Sequence, residues 1–119
     1  MIISHKHKYI FVKTSKVAGT STEIFFEEMS FSKRQPKHGQ PEIINENGIR
    51  GSRGSSAKRS KWYNHMSLPE IKKLLNNDDL FNEYFKFSIT RNPWDRMVSG
   101  YYHFSSETSS ETSFKEYVV

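Results

Sequence analysis

The order of apolar and polar residues along the chain predicts a strand followed by a helix in its first quarter. Tyr9–Val12 is a continuous run of apolar, β-branched and aromatic residues, typical of a strand that is buried on both faces. Phe25, Phe26 and Met29 then recur at helical spacing, which predicts a helix with an apolar stripe. The glutamates of this segment are expected on the other faces: Glu23, Glu27 and Glu28.

A second helix is predicted after residue 67. Ser67 is followed three residues later by Glu70, which is a capping-box pattern, and Pro69 suits the first turn of a helix. His65 precedes this cap by two residues and is therefore expected at the mouth of the helix. The apolar stripe of this helix comprises Leu68, Ile71, Leu74 and Leu75.

A second strand-to-helix junction follows at residues 85–101. Residues 85–91 alternate between apolar and polar, which is the period of a strand, and Asn92 with Pro93 begins a helix directly after it. In one parallel sheet, both junctions would lie at the carboxyl edge of the strands, where open α/β sheets bind ligands. The buried stripe of this helix is predicted to comprise Trp94, Met97, Val98 and Tyr101.

The first junction has the features of an anion-binding site. Lys16 and Gly19 lie in its short turn, and Thr20 and Ser21 open the helix. The first N–H groups of a helix lack partners within the helix, and the helix dipole favours negative charge there. The spacing does not match the phosphate-loop motif GxxxxGK[ST]. A phosphate or sulfate is nevertheless the expected ligand.

The length and the residue types limit the possible architectures. A chain of 119 residues forms at most one small domain, and two strands make a poor sheet. We therefore expect a single, incomplete domain over 1–119, either an N-terminal portion or a shortened family member. The absence of cysteine excludes disulfides and cysteine-based metal sites, and no metal is predicted. No apolar run could span a membrane, and no secretory signal is present, so the chain is expected to be cytoplasmic if Met1 is its true start.

Positive charge is concentrated in one segment. The formal net charge is +5, and residues 31–61 are rich in Lys, Arg, Ser and Gly but poor in apolar residues. This composition predicts a long flexible insertion, either simply solvated or closing over an anionic acceptor or cofactor. An RNA-binding segment is a weaker interpretation because aromatic residues are not interleaved with the charges.

With both junctions considered, the sequence resembles the sulfotransferases that use 3′-phosphoadenosine 5′-phosphosulfate (PAPS), in particular the branch of carbohydrate and heparan-type enzymes and their bacterial relatives. Residues 10–24 are similar to the family's 5′-phosphosulfate loop, with Val17 where a threonine is usual. Residues 87–102 resemble its 3′-phosphate motif, and a histidine precedes the helix between the two motifs, as His65 does here. The resemblance implies a three-layer, P-loop-NTPase-like parallel sheet flanked by helices.

The resemblance also implies roles for individual residues. Lys16 and His65 would be catalytic, with Lys16 stabilising the leaving oxygen and His65 acting as the base. Arg91 and Ser99 would hold the 3′-phosphate of PAPS or of its product, 3′-phosphoadenosine 5′-phosphate. The acceptor would be a hydroxyl or amine compound, for which an acidic glycan suits the basic insertion, and pairing with a second copy is compatible with the missing strands. The 5′-phosphosulfate would be bound by Lys16, Ala18, Gly19, Thr20 and Ser21.

Three other interpretations stay open at this point. A small-molecule or nucleotide kinase with a degenerate phosphate loop would need ATP, Mg²⁺ and an acidic metal ligand at the end of a strand. A non-catalytic protein that binds anions or RNA through the basic segment would show strongly salt-dependent affinity. An inactive truncated remnant would show no turnover.

Overall fold

The structure is a computed structural model that describes residues 1–31, 40–108 and 112–118. These residues form two compact units, Met1–Ile89 and Thr90–Val119. The strands of the first unit are β1 (Ile2–Ser4), β2 (Tyr9–Val12), β3 (Ile43–Asn45), β4 (Gly48–Arg50) and β5 (Phe85–Ser88). Its helices are α1 (Gly19–Phe31), a 3₁₀ helix (Gly54–Arg59), α2 (Leu68–Leu75) and α3 (Asp78–Glu83).

The five strands form one mixed sheet in the order β3-β4-β1-β2-β5. Strands β2 and β5 are parallel neighbours, with Phe11 opposite Phe87, so the strands of the two junctions lie parallel in one sheet, as predicted. The other three pairs are antiparallel, so the prediction of a wholly parallel sheet is wrong. The reason is local: β1 and β2 are joined by a tight turn with Lys8 at φ 54°, and a connection this short can join only antiparallel strands.

The sheet of the first unit carries helices on both faces. On one face, Ile3 and Ile10 pack in a cluster with Ile71 of α2 and with Leu80 of α3 at its margin. On the other face, Phe11 belongs to a second cluster that receives side chains from α1. Alternate residues of β1 and β2 therefore serve opposite layers, as expected for strands buried on both sides. The capping box of Ser67 and Glu70 at the start of α2 is confirmed.

Helix α1 buries the opposite face from the predicted one. Phe25 is 58% exposed and Met29 is also exposed, whereas Glu23 is 0% and Glu27 is 1% exposed. Only Phe26 of the predicted apolar stripe packs at the margin of the core. The two glutamates are buried because arginine and lysine side chains from other elements form ion pairs with them.

The described part of the basic segment 31–61 contains regular secondary structure, in contrast to the flexible insertion that its composition predicted. Strands β3 and β4 and the 3₁₀ helix lie within it, and β4 pairs with β1 near the centre of the sheet. Arg50 and Arg53 are 1% and 2% exposed, so two of the charges expected in a solvated loop lie in the interior. Residues 32–39 of this prediction lie outside the described residues.

The second unit consists of α4 (Pro93–Thr108) and α5 (Phe114–Val118). Tyr101 of α4 contacts the rings of Phe114 and Tyr117 of α5. The predicted buried stripe is wrong for Trp94, which is 73% exposed, and for Val98, which is also exposed. Across both units, the described helices are all too short or too polar to cross a membrane.

Candidate functional site

The turn between β2 and α1 has an unusual backbone conformation. Lys16 and Ala18 have φ values of 60° and 58°, in the left-handed region that residues other than glycine rarely adopt. Each such residue costs about 1–3 kcal/mol and persists only where its surroundings impose it, often at ligand-binding sites. Left-handed residues in a turn allow neighbouring backbone N–H groups to converge on an anion. The conformation of the turn therefore suits an anion held by the main chain.

The side chains of this turn separate into an inner and an outer set. Val17 and Gly19 are buried, whereas Ala18, Thr20 and Ser21 are exposed. Lys16 is half-buried. The predicted ligand-binding hydroxyls are thus accessible at the start of α1, and the valine that replaces the usual threonine is directed into the protein.

The side chain of Lys13 packs against this turn. A Cβ atom on Gly19 would lie 2.8 Å from Lys13 Cγ, so the buried lysine stem occupies the space that any other residue at position 19 would need. The Nζ atom of Lys13 lies 2.9 Å from Glu23 Oε2, which fixes the far end of the side chain. Gly19 is therefore required for close packing of the loop on Lys13.

An ionic cluster of buried side chains lies beside the loop. Arg53 Nε is 3.0 Å from Glu23 Oε2, and Arg53 Nη2 is 2.7 Å from Glu27 Oε2. Arg50 Nε lies 3.2 Å from Glu27 Oε1. The cluster comprises Lys13, Glu23, Glu27, Arg50, Arg53 and the amino group of Met1, which donates to Glu23 Oε1 at 2.8 Å.

The cluster is positively charged overall. Burial alone would raise the pKa of Glu23, but the charges of the Met1 amine, Lys13 and Arg53 outweigh it and hold that pKa below its usual value. Glu23 is therefore ionised at neutral pH. Even without the Met1 amine, three side-chain cations face two carboxylates. The excess positive charge favours an anion at the adjacent loop.

His65 lies against the first residue of the loop. Its Nδ1 atom is 3.2 Å from the carbonyl oxygen of Lys13. A carbonyl oxygen can only accept, so in the neutral ring Nδ1 carries the proton and Nε2 keeps an available lone pair. Partial burial lowers the pKa of His65, which favours the neutral form at pH 7. The ring is thus set up to accept a proton at Nε2.

The backbone before His65 is attached to the segment that carries Arg53. Ser52 donates to the Trp62 carbonyl from both its N–H and its Oγ, at 2.9 and 3.1 Å, and Asn64 N–H donates to the Ser52 carbonyl at 3.0 Å. A Cβ atom on Gly51 would lie 2.5 Å from the carbonyl carbon of Tyr63. This close approach requires glycine and holds the two strand-like segments in contact.

Arg91 and Ser99 both belong to the second unit. Asn92 Oδ1 accepts a hydrogen bond from Trp94 N–H at 2.9 Å and caps α4, as predicted. Arg91 is exposed just before this cap, and Ser99 is half-buried two turns along the helix. Of the predicted site residues, the first unit brings together the loop residues and His65.

Lys13, Glu23 and Arg53 were missed as site residues by sequence reasoning. The four-residue spacing of Glu23 and Glu27 places them on one helical face, which was a usable signal. Arg50 and Arg53 are the partners of these glutamates, but they lie in a segment whose composition predicts exposure to solvent. Nothing in the local sequence indicates this pairing.

Comparisons with known proteins give one finding about the family. A family model described as "Sulfotransferase family" matches residues 1–118, nearly the whole chain. Neither the curated proteins nor the solved structures contain a significant match.

Proposed function

Because the chain belongs to the sulfotransferase family, we propose that it transfers a sulfuryl group from PAPS to a hydroxyl or amine of a carbohydrate acceptor. The observation that carries this proposal is the loop before α1, where two left-handed residues lead into the first turn of the helix beside a buried, positively charged cluster. The likeness to P-loop NTPases is proposed for this loop alone.

The loop fits the 5′-phosphosulfate of PAPS. The exposed hydroxyls of Thr20 and Ser21 and the first N–H groups of α1 are donors for its oxygens. Lys16 would neutralise the negative charge that grows on the oxygen of the leaving phosphate. When bound, PAPS supplies an activated sulfuryl group, and the protein contributes position and charge.

Arg91 and Ser99 are proposed to hold the 3′-phosphate. The guanidinium group presents a planar set of donors that matches phosphate oxygens, and the serine hydroxyl adds one more. Because ATP has no 3′-phosphate, these two residues would distinguish PAPS from ATP.

His65 is proposed to remove the proton from the acceptor. As the acceptor oxygen bonds to sulfur, the bond between sulfur and the phosphate oxygen breaks, and the O–H proton passes to Nε2 of His65. The Lys13 carbonyl supports this role because it accepts the Nδ1 proton and thereby keeps Nε2 unprotonated.

An acidic glycan is the proposed acceptor. Lys58 and Arg59 of the 3₁₀ helix and the following Lys61 are exposed, so they are available to an anionic substrate. Arg50 and Arg53 are not available, since both are buried in ion pairs.

Calorimetry with 3′-phosphoadenosine 5′-phosphate tests the proposal. We expect binding that ATP does not match and that Lys16→Ala and Arg91→Ala each weaken by at least about tenfold, on the scale of a lost charged hydrogen bond. Lys73→Ala and Lys115→Ala are the matched controls, since both residues are exposed and lie outside the proposed site. If the folded protein ignores the nucleotide, or if the controls weaken binding equally, the proposal is wrong.

A further inference from the structure

We propose that Arg53 is a positioning residue that holds the anion-binding loop and His65 in a fixed relation. This inference rests on the proposed function, since it concerns how the parts of that site are kept together. Arg53 comes from the segment whose composition predicted a solvated loop. It is instead 2% exposed.

The first step is the contact of the Arg53 side chain with α1. Its Nε and Nη2 atoms contact the carboxylates of Glu23 and Glu27, which are one helical turn apart. A planar guanidinium that bridges two carboxylates restricts both the rotation and the translation of the helix. The start of α1, which carries Thr20 and Ser21, is therefore fixed relative to Arg53.

The second step leads from α1 to the loop and to His65. Glu23 Oε2 accepts from Arg53 Nε and also from Lys13 Nζ, so the two cations share one oxygen. The stem of Lys13 packs beneath Gly19, and its carbonyl contacts His65 Nδ1. A shift of Lys13 would therefore change both the loop and the hydrogen bond that selects the tautomer of His65.

The third step closes the connection through the backbone. Ser52, the neighbour of Arg53, is hydrogen-bonded to Trp62 and Asn64, directly before His65. The Arg53 N–H donates to the Gln40 carbonyl at 2.9 Å, which anchors this residue from the other side. Arg53 is thus connected to the anion-binding loop through its side chain and to the backbone next to His65 through its main chain.

Arg53→Lys separates positioning from simple charge. The lysine keeps the positive charge but cannot bridge Glu23 and Glu27 with a planar fork. Lys73→Arg, a charge-conserving change at an exposed residue of α2, is the matched control. Two properties are measured: calorimetric affinity for 3′-phosphoadenosine 5′-phosphate, and the ¹⁵N chemical shifts of the His65 ring, assigned with His65→Gln.

We expect His65 of the unsubstituted protein to show the Nδ1-protonated tautomer. In Arg53→Lys, we expect a mixture of both tautomers, and nucleotide affinity about tenfold weaker, the scale of coupling through residues that touch no ligand. Lys73→Arg should change neither property. Circular dichroism confirms that each variant is folded.

If folded Arg53→Lys retains both the tautomer and the affinity, the inference is wrong. If it does not fold, Glu27→Gln replaces it. This change removes the negative charge from one arm of the bridge and should shift both properties in the same direction. Unchanged properties would again overturn the inference. Failure of the proposed function has a different signature: the unsubstituted protein then does not bind the nucleotide, and the tautomer shift alone decides the role of Arg53.

Discussion

The two strand-to-helix junctions have similar sequence patterns but very different structural support. At the first junction, two left-handed residues form a tight turn above buried ion pairs, and Gly19 packs against Lys13. At the second, Asn92 caps a helix whose residues are all exposed or half-buried where the structure describes their side chains. The first junction is therefore held by buried contacts with other parts of its unit. The second is stabilised by the capping hydrogen bond of its own helix.

This difference shows that a sequence motif specifies which hydrogen-bond donors are present but not how firmly the fold holds them in place. Lysine, glycine and hydroxyl residues give the first junction its anion-binding groups, yet distant Arg53 and Glu23 hold them in place. The two tryptophans make the comparison measurable, because Trp62 is buried in the first unit and Trp94 is exposed in the second. Fluorescence of single-tryptophan variants reports each unit separately.

The largest expected effect is that of Glu23→Gln. The change leaves buried cations without their shared carboxylate, which typically costs about 3–5 kcal/mol of unfolding free energy. Asp95→Asn, in the exposed first turn of α4, should cost under about 1 kcal/mol. Urea unfolding followed by Trp62 fluorescence measures the first change, and Trp94 fluorescence measures the second. Equal effects would remove the distinction between the junctions.

A smaller effect is expected from alanine at one glycine in each unit. Gly19→Ala places a Cβ atom 2.8 Å from the held stem of Lys13, and such overpacking costs about 1–3 kcal/mol. In Gly100→Ala the nearest atom, at 2.7 Å, is the hydroxyl at the tip of Tyr117, which can move. The better helix propensity of alanine, worth up to about 1 kcal/mol, offsets that movement. Thermal unfolding of both variants should therefore show a lowered midpoint for Gly19→Ala only.

Asn92→Ala tests the local support of the second junction. It removes the hydrogen bond between Asn92 Oδ1 and Trp94 N–H, and the loss of such a cap costs about 1 kcal/mol. Amide hydrogen exchange should become faster in the first turns of α4 and stay unchanged in α1. Faster exchange in both helices would contradict the interpretation of local support.

The smallest expected effect is a pH dependence at His65. Its pKa is lowered in the folded protein, so below pH 6.5 the unfolded state binds more protons. The contribution to stability is thus complete above pH 6.5 and is lost as the pH falls through the folded-state pKa. Because the ring is only partly buried, solvent screens its interactions, and we expect a contribution to stability of under about 0.5 kcal/mol. Urea unfolding at two pH values compares His65→Gln with the unsubstituted protein, and the substitution should reduce the pH dependence of stability.

Several features of the fold were predictable because their signals are local. The apolar run of β2, the capping box of Ser67 and Glu70 and the Asn92 cap each depend on residues within one turn or strand. The parallel direction of β2 and β5 was predicted by placing both junctions in one sheet, although their direct pairing was not. The contact of His65 with the Lys13 carbonyl was not foreseen.

The missed features depend on contacts between distant segments. Strands β1, β3 and β4 have three residues each, too few for a clear period. The burial of Glu23 and Glu27 reverses the usual placement of charge, and it becomes favourable only when Arg50 and Arg53 supply opposite charge. Hydrophobic periodicity along α1 contains no information about those partners.

The parallel pair β2–β5 also determines when the site can form during folding. Strand β1 meets β2 through a short turn, but β5 reaches β2 only after the intervening chain has closed into a long loop. Thr14 Oγ1 donates to the Ile89 carbonyl at 3.1 Å, just beyond β5. A chain emerging from the ribosome would therefore form its β1–β2 hairpin early. The anion-binding turn would become fixed late, once residue 89 has left the exit tunnel.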